Sequence, residues 1–300
     1  MQFNVFVAGR SGQLARELVR SANPDQFGVS ALGRADFDIQ SERSIRSVVE
    51  KLRPRLIVNA AAYTAVDAAE SDMSSAFALN AHAAQNLARV AADFGIPIIH
   101  VSTDYVFDGS LGRTYLETDE VGPASVYGQS KLEGETLVRA ANPQHVILRT
   151  AWVYSPFGKN FVKTMLRLAS DRDEISVVAD QVGNPTAARD IAEGIWKIAA
   201  QFDARAGSFQ PGTFHMAGDG DATWAEFAAS IFEMSGSLGG PSARVKRIQS
   251  SDYPTPVKRP ANSRLDCTKL EQAYAVRLPD WRGSLKVCVE ELLESGAWRT

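Results

Sequence analysis

The most constraining feature of the chain lies at its head. A short apolar run, Phe3 to Ala8, reads as a buried strand and ends in Gly9-Arg10-Ser11-Gly12-Gln13-Leu14-Ala15; a helical stretch, Gly12 to Ser21, follows at once. The spacing is G-x-x-G-x-x-A. Gly9 permits a tight turn, Gly12 lets backbone N–H groups approach an anion, and the small Ala15 lets the helix pack closely on the sheet. The positive end of the helix then faces a phosphate. Such a pattern alone is a weak signal, but its place between a strand and a helix is the context a dinucleotide site requires.

The rhythm that follows agrees with this start. Gly28 to Leu32, Leu56 to Asn59, Pro97 to Val101 and Val146 to Leu148 read as strands. Between them, Ser41 to Leu52 has helical spacing, with Ile45, Val48, Val49 and Leu52 on one face. Asp72 to Phe94 reads as one long helix with Phe77, Ala84, Leu87 and Ala91 on a stripe, and Tyr127 to Ala140 as another. Strands alternating with helices predict an α/β fold, a Rossmann-type doubly wound parallel sheet covered on both faces. After Arg149 the pattern changes to helices (Asn160 to Ala169, Ala187 to Gln201, Trp224 to Ser235, Ser284 to Glu294) among short strands and Gly/Pro-rich loops. We therefore expect an NAD(P)-binding domain over 1–150 and a smaller C-terminal α+β domain over 151–300 that binds substrate, with helix 187–201 packing back onto the sheet.

Composition removes several classes. There are 32 Lys+Arg against 35 Asp+Glu, a net charge of −3, and no basic run longer than two residues. That argues against nucleic acid as a partner. The longest apolar runs, such as Leu56 to Ala62, fall far short of the ~20 residues that span a bilayer, so no membrane partner is expected. The N-terminus has no basic region followed by a long apolar core. The two cysteines, Cys267 and Cys288, have no Cys or His at metal-ligand spacing and read as free thiols of a reducing cytoplasm.

The candidate chemistry sits where ligands of doubly wound sheets bind, beyond the carboxyl ends of the strands. Thr103 follows directly on the fourth strand, and Tyr127 and Lys131 lie four residues apart on one helix face. A carbonyl that accepts hydride needs a proton on its oxygen. A free tyrosine, with a pKa near 10, is a poor partner for that at neutral pH. We expect the Lys131 ammonium, together with the positive nicotinamide of the oxidised cofactor, to lower the phenol, about 4 kcal/mol for about three pKa units. Lys131 would also hold the nicotinamide ribose, and Thr103 would hydrogen-bond the carbonyl oxygen. After the second strand, Arg34 fits a reader of a 2′-phosphate, while Asp36 or Asp38 fits a hydroxyl or the adenine amine; NADPH is favoured over NADH.

These residues resemble the extended short-chain dehydrogenase/reductase superfamily and, within it, the dTDP-4-dehydrorhamnose reductase family. The resemblance covers nearly the whole chain. It rests on the Gly9 to Leu14 turn, Val58 to Asp67 with Glu70, Ser102 to Gly109, Tyr127 to Lys131, Arg149 to Tyr154, Asn160 to Met165, Asp180 to Thr186 and Arg259 to Leu265. It implies NAD(P)H-dependent reduction of the 4-keto group of dTDP-4-dehydrorhamnose to dTDP-L-rhamnose, with Thr103, Tyr127 and Lys131 catalytic and Tyr127 the proton donor. It implies cofactor contacts from Gly9, Ser11, Gly12, Gln13, Leu14, Arg34, Asp38, Ile39, Ala60, Ala61, Ala62, Thr64, Tyr127 and Lys131. For the nucleotide sugar it implies Asp104, Tyr105, Trp152, Asn160, Arg259, Asn262 and Ser263. Trp152 also fits a core aromatic, and Asp104 a turn carboxylate.

Some members of the family are dimers bridged by magnesium through glutamates. Here Glu17 matches one such position, but Arg189 stands where those members have an acid, so no metal is expected and the chain is read as a monomer or homodimer. A 4,6-dehydratase would carry Asp-Glu after the active-site Thr, whereas Tyr105 follows Asp104 here. An epimerase or another 4-ketoreductase of the superfamily stays open. So does a non-catalytic regulatory subunit like that of methionine adenosyltransferase, against which the intact Thr103, Tyr127 and Lys131 argue.

Overall fold

A computed structural model describes residues 2–204 and 209–299. The centre is one six-stranded sheet: β1 (Phe3–Ala8), β2 (Phe27–Leu32), β3 (Leu56–Asn59), β4 (Ile98–Thr103), β5 (His145–Thr150) and β6 (Gly212–His215). Their order is β2-β1-β3-β4-β5-β6 and every pair is parallel. Parallel strands need crossovers that cover both faces, which is why these segments read as unbroken apolar runs. On one face α1 (Gln13–Ser21) and α6 (Ala188–Ala204) bury Leu14, Leu18, Ile191, Ile195 and Ile198. On the other, α2 (Glu42–Leu52), α3 (Ala83–Asp93) and α4 (Val126–Ala141) bury Ile45, Val49, Leu87, Ala91 and Val138. The order of strands reverses direction at β1, so a crevice opens above the carboxyl ends of β1 and β3.

Two details differ from the sequence expectation. The segment from Asp72 to Phe94 is not one helix. It runs Met73–Phe77, then a π-turn over Ala78–His82, then α3. The wider turn holds Asn80, whose side chain accepts from Tyr63 N at 2.7 Å and donates to Ser130 Oγ at 3.0 Å. It also changes the phase of the apolar stripe. Phe77 packs beside Tyr63 and Tyr127, while Ala84, Leu87 and Ala91 face the sheet. Second, β6 comes from the part of the chain after Arg149, so that part supplies both a helix and an edge strand to the central sheet.

A second core lies beyond it. There α5 (Phe161–Ala169), α7 (Trp224–Ser237) and α8 (Trp281–Ser295) pack with a parallel ladder of Glu174–Val178 and Arg244–Ile248. A small three-stranded sheet of Ala222–Thr223, Val182–Gly183 and Asn262–Ser263 presents Ser263 towards the end of β4.

Candidate active site

The glycine turn forms the floor. Gly9 has φ +119°, a conformation that strains any residue with a side chain, and a Cβ on it would make a tight 3.3 Å contact with the Ala60 carbonyl group. Gly12 is the N-cap of α1; no side chain caps it and no acid sits in the first turn. A Cβ on Gly12 would project into open space. The first-turn N–H groups are thus left for an anion, which fits a dinucleotide pyrophosphate. Ser11 is exposed beside them and Leu14 is buried in the sheet core. Ala60, Ala61 and Ala62 line the end of β3, where Ala61 N donates to Asn59 Oδ1, and Thr64 is exposed beyond them.

The turn after β2 carries two arginines. Arg34 is exposed and makes no ion pair among the described residues. Arg10, which the sequence reading passed over, reaches the same turn and pairs with Asp36 at 3.1 Å. Asp36 is further held by Gly33 N at 2.8 Å, so its carboxylate is committed to the turn. Asp38 accepts from Gln40 N and Ile39 packs against the core below.

The chemistry gathers at β4 and α4. Ser125 caps α4 by accepting from Gly128 N, and Glu70 accepts from Val126 N at 2.8 Å. Gly128 lies so close to Tyr105 that a Cβ would meet its carbonyl oxygen at 2.3 Å. This contact sets Tyr127 beside the end of β4. Its phenol faces the Thr103 side chain. Thr103 Oγ1 donates to Asp104 Oδ1 at 2.9 Å and accepts from Tyr105 N. Tyr105 meets Tyr127 edge to face, with centroids 5.5 Å apart.

Burial governs the protonation of this group. It pushes the Tyr127 phenol well above the usual tyrosine range, with the Thr103 side chain pulling weakly the other way. The expected lowering by Lys131 is therefore not what the chain's own residues produce. Lys131 is buried, its Nζ donates to the Val101 carbonyl at 2.6 Å, and desolvation pulls it down to about 8, opposed by Glu135. Glu135 lies one helical turn further on, also buried, in a paired bond with Arg149 Nε and Nη2 at 2.9 and 2.8 Å, and accepts from Ser102 Oγ. Burial raises Asp104 to about 6, with Ser263 and Thr103 opposing. His100, buried beneath, is held well below its ordinary value by desolvation and by Lys131.

The remaining candidates come from the second half. Arg259 donates to the Tyr105 hydroxyl at 3.0 Å and pairs with Asp67 at 2.5 Å, bridging the crevice. Trp152 adopts φ +45°, unusual for a residue with a side chain. Its ring stacks on Trp224 with centroids 3.5 Å apart and lies over Gly183, where a Cβ would stand 2.5 Å from the ring. Two asparagines expected as sugar contacts have hydrogen-bond partners within the protein. Asn160 caps α5 and gives its amide to Gln13 Oε1 and to the carbonyls of Ser155 and Phe157. Asn262, buried, donates to the carbonyls of Leu111 and Arg113 and accepts from Arg264 N and Nε. Both are spent on the protein itself. Asp67, Glu135 and Trp224 carried no signal in spacing; only their partners in space single them out.

Away from this site, Arg20 bonds both Glu17 and Glu291, and Arg189 pairs with Glu193. Among the described residues no group of His, Cys, Asp and Glu is arranged to hold a metal ion, and no helix is long and apolar enough to cross a membrane.

Comparison with known proteins accords with this geometry. The family model for the RmlD substrate binding domain matches residues 3–294. A dTDP-4-dehydrorhamnose reductase of Sinorhizobium fredii is 48% identical over 290 residues, 97% of this chain and 98% of that protein. The crystal structure of a dTDP-4-dehydrorhamnose reductase from Clostridium acetobutylicum superposes with a TM-score of 0.90 at 36% identity, covering 97% of this chain and 99% of that one. The same enzyme from Bacillus anthracis, in complex with NADP, has a TM-score of 0.90 at 33% identity, over 97% and 100%. The chain thus belongs to the dTDP-4-dehydrorhamnose reductase family of the RmlD type.

Proposed function

We propose that this chain reduces the 4-keto group of dTDP-4-dehydrorhamnose to give dTDP-L-rhamnose, with NADPH as the reductant. The observation that carries the reading is the Tyr127 phenol set beside Thr103 at the end of β4, on the same sheet whose first strand runs into the uncapped N-terminus of α1. The named activity of the relatives and the NADP-bound neighbour support it.

In this reading the N–H groups at Gly12 and Gln13 bind the pyrophosphate, Arg34 and Arg10 flank the adenosine ribose, and Lys131 holds the nicotinamide ribose. When bound, NADPH supplies the hydride that goes to the carbonyl carbon. Tyr127 keeps its proton because burial holds the phenol neutral, and it delivers that proton to the ketone oxygen. Thr103 orients both oxygens. Arg259 meets the substrate's phosphates, and Trp152, Tyr105 and Ser263 shape the sugar side, so the second core serves as the substrate-binding part of the chain. The two cysteines are unpaired, which accords with work in the cytoplasm.

The test is to follow nicotinamide oxidation with dTDP-4-dehydrorhamnose and to identify the sugar formed. We expect stoichiometric NADPH oxidation and dTDP-L-rhamnose. No oxidation, or a product epimeric at C4, would overturn the reading.

A further inference from the structure

The first turn of α1 is held from outside the central sheet. The Gln13 side chain meets the loop before α5, where its Oε1 accepts from Asn160 Nδ2 at 2.9 Å and from the Ser155 hydroxyl at 3.1 Å. Three residues on, the Arg16 guanidinium lies 3.8 Å over the Phe157 ring. Gln13 and Arg16 share a helix face, so the loop from Ser155 to Asn160 grips that face at two points. Asn160 is the centre of the grip. Its amide group faces three acceptors, Gln13 Oε1 and the carbonyls of Ser155 and Phe157, while its Oδ1 caps α5 through Lys163 N at 3.2 Å.

The position of this grip gives it a consequence. The N–H groups at the start of a helix have no partners within the helix, and an uncapped first turn frays readily. Here Gly12 contributes no side-chain cap; Leu14 and Ala15 hold the turn from the core side, and the Gln13 side chain ties it from the side of the loop before α5. A helix terminus binds an anion well only when its N–H groups hold their direction.

We propose that Asn160 is a positioning residue for the dinucleotide: by holding Gln13 it fixes the direction of the α1 first-turn N–H groups towards the pyrophosphate. This rests on the reading above that NADPH binds at Gly9 to Gln13. It also gives the loop before α5 a part in cofactor affinity although it lies on the far side of the sequence from the glycine turn.

The informative variant is Asn160→Ser. Serine caps a helix about as well as asparagine but is too short to reach Gln13. We expect NADPH to bind about tenfold more weakly by titration, the scale of a lost pair of polar contacts, with the keto-sugar KM at saturating cofactor unchanged. Gln13→Ala, which leaves the α5 cap intact, should weaken NADPH similarly, and the double variant no more than either single one. It also carries the test if Asn160→Ser fails to fold. Parent-like NADPH affinity in the single variants, additive losses in the double, or a raised sugar KM with unchanged NADPH affinity would overturn the proposal. A parent that binds no dinucleotide removes the functional reading and this proposal together. A parent that binds, with variants that bind equally well, removes only this one.

Discussion

Tyr127 and Asn262 come from the two halves of the chain, and their surroundings differ in kind. In the half that carries Tyr127 the polar groups are left partly unused: one Asp104 oxygen is buried without a partner, and the α1 terminus has no side-chain cap. Around Asn262 and Asn160 every side-chain polar atom is engaged by the protein's own backbone or side chains. Folded proteins satisfy their buried polar groups, and exceptions cluster where a ligand completes them. The comparison therefore sorts residues that act on a ligand from residues that hold the frame. It predicts opposite signatures on substitution.

The largest effect is expected at Tyr127. Tyr127→Phe removes one hydroxyl from a half-buried ring and leaves the packing against Phe77 and Tyr105. General acid catalysis is worth about 10² to 10⁴ in rate, so kcat should fall roughly 10³-fold. NADPH affinity and melting temperature should stay close to the parent. Turnover at the parental rate would place the proton donor elsewhere, and loss of stability would put Tyr127 among the frame residues.

Asp104 sharpens the contrast through pH. Its carboxyl is raised from the ordinary 3.8 to about 6, chiefly by burial. The folded chain therefore holds this proton more tightly than the unfolded chain. Stability is lost as pH rises from about 4 through 6, because ionising Asp104 then costs more in the fold than outside it. The difference corresponds to about 3 kcal/mol. Asp104→Asn should raise the melting temperature at pH 8 and give no such gain at pH 4, while its activity falls. Thermal melts at the two pH values check this; an equal gain at both would show that the carboxylate is not held at such a cost.

The same division explains what the sequence made legible. The sheet, the glycine turn and the Tyr127/Lys131 pair are local patterns, set by periodicity and by fixed spacing along one element. The strand Gly212–His215 is short and lies beyond the change of rhythm, so no crossover pattern announced its return to the sheet. The π-turn at Ala78–His82 follows from the Asn80 side chain meeting Tyr63 and Ser130, contacts that span up to 50 residues. The roles of Asn160 and Asn262 depend on which carbonyls the fold brings to them. Residue type and family motif mark such positions without saying whether their hydrogen bonds end on a ligand or on the protein. Arg10 went unnoticed because it sits inside the glycine motif, where only small residues draw attention.

For Asn262 the expected signature is the reverse of that at Tyr127. Removing its amide leaves the carbonyls of Leu111 and Arg113 and the Arg264 donors without their partner, and the residue is buried. A buried group stripped of its partner costs about 1 to 3 kcal/mol, so Asn262→Ala should lose about 2 kcal/mol in a denaturant titration. Below the unfolding transition, kcat should remain near the parent. A selective rise in sugar KM without loss of stability would return Asn262 to the ligand-facing group.

The smallest effect tests the edge of the ligand-facing half, where two arginines share one turn. Arg34 makes no ion pair among the described residues, whereas the Arg10 guanidinium is already paired with Asp36. Both are exposed, so water and salt screen their charge. A 2′-phosphate contact from Arg34 should be worth about 1.4 kcal/mol, a tenfold change in affinity. Arg34→Ala is thus expected to weaken NADPH about tenfold and leave NADH unaffected. Arg10→Ala should weaken NADPH by less, because the Arg10 charge is already paired with Asp36 and offers the phosphate little net attraction. Titrations of both cofactors at two salt concentrations decide the matter. If Arg10→Ala proves the costlier of the two, the Asp36 pair is a rest position that the cofactor opens, and Arg10 takes over the role assigned here to Arg34. Equal losses for NADPH and NADH would remove both arginines as readers of the 2′-phosphate.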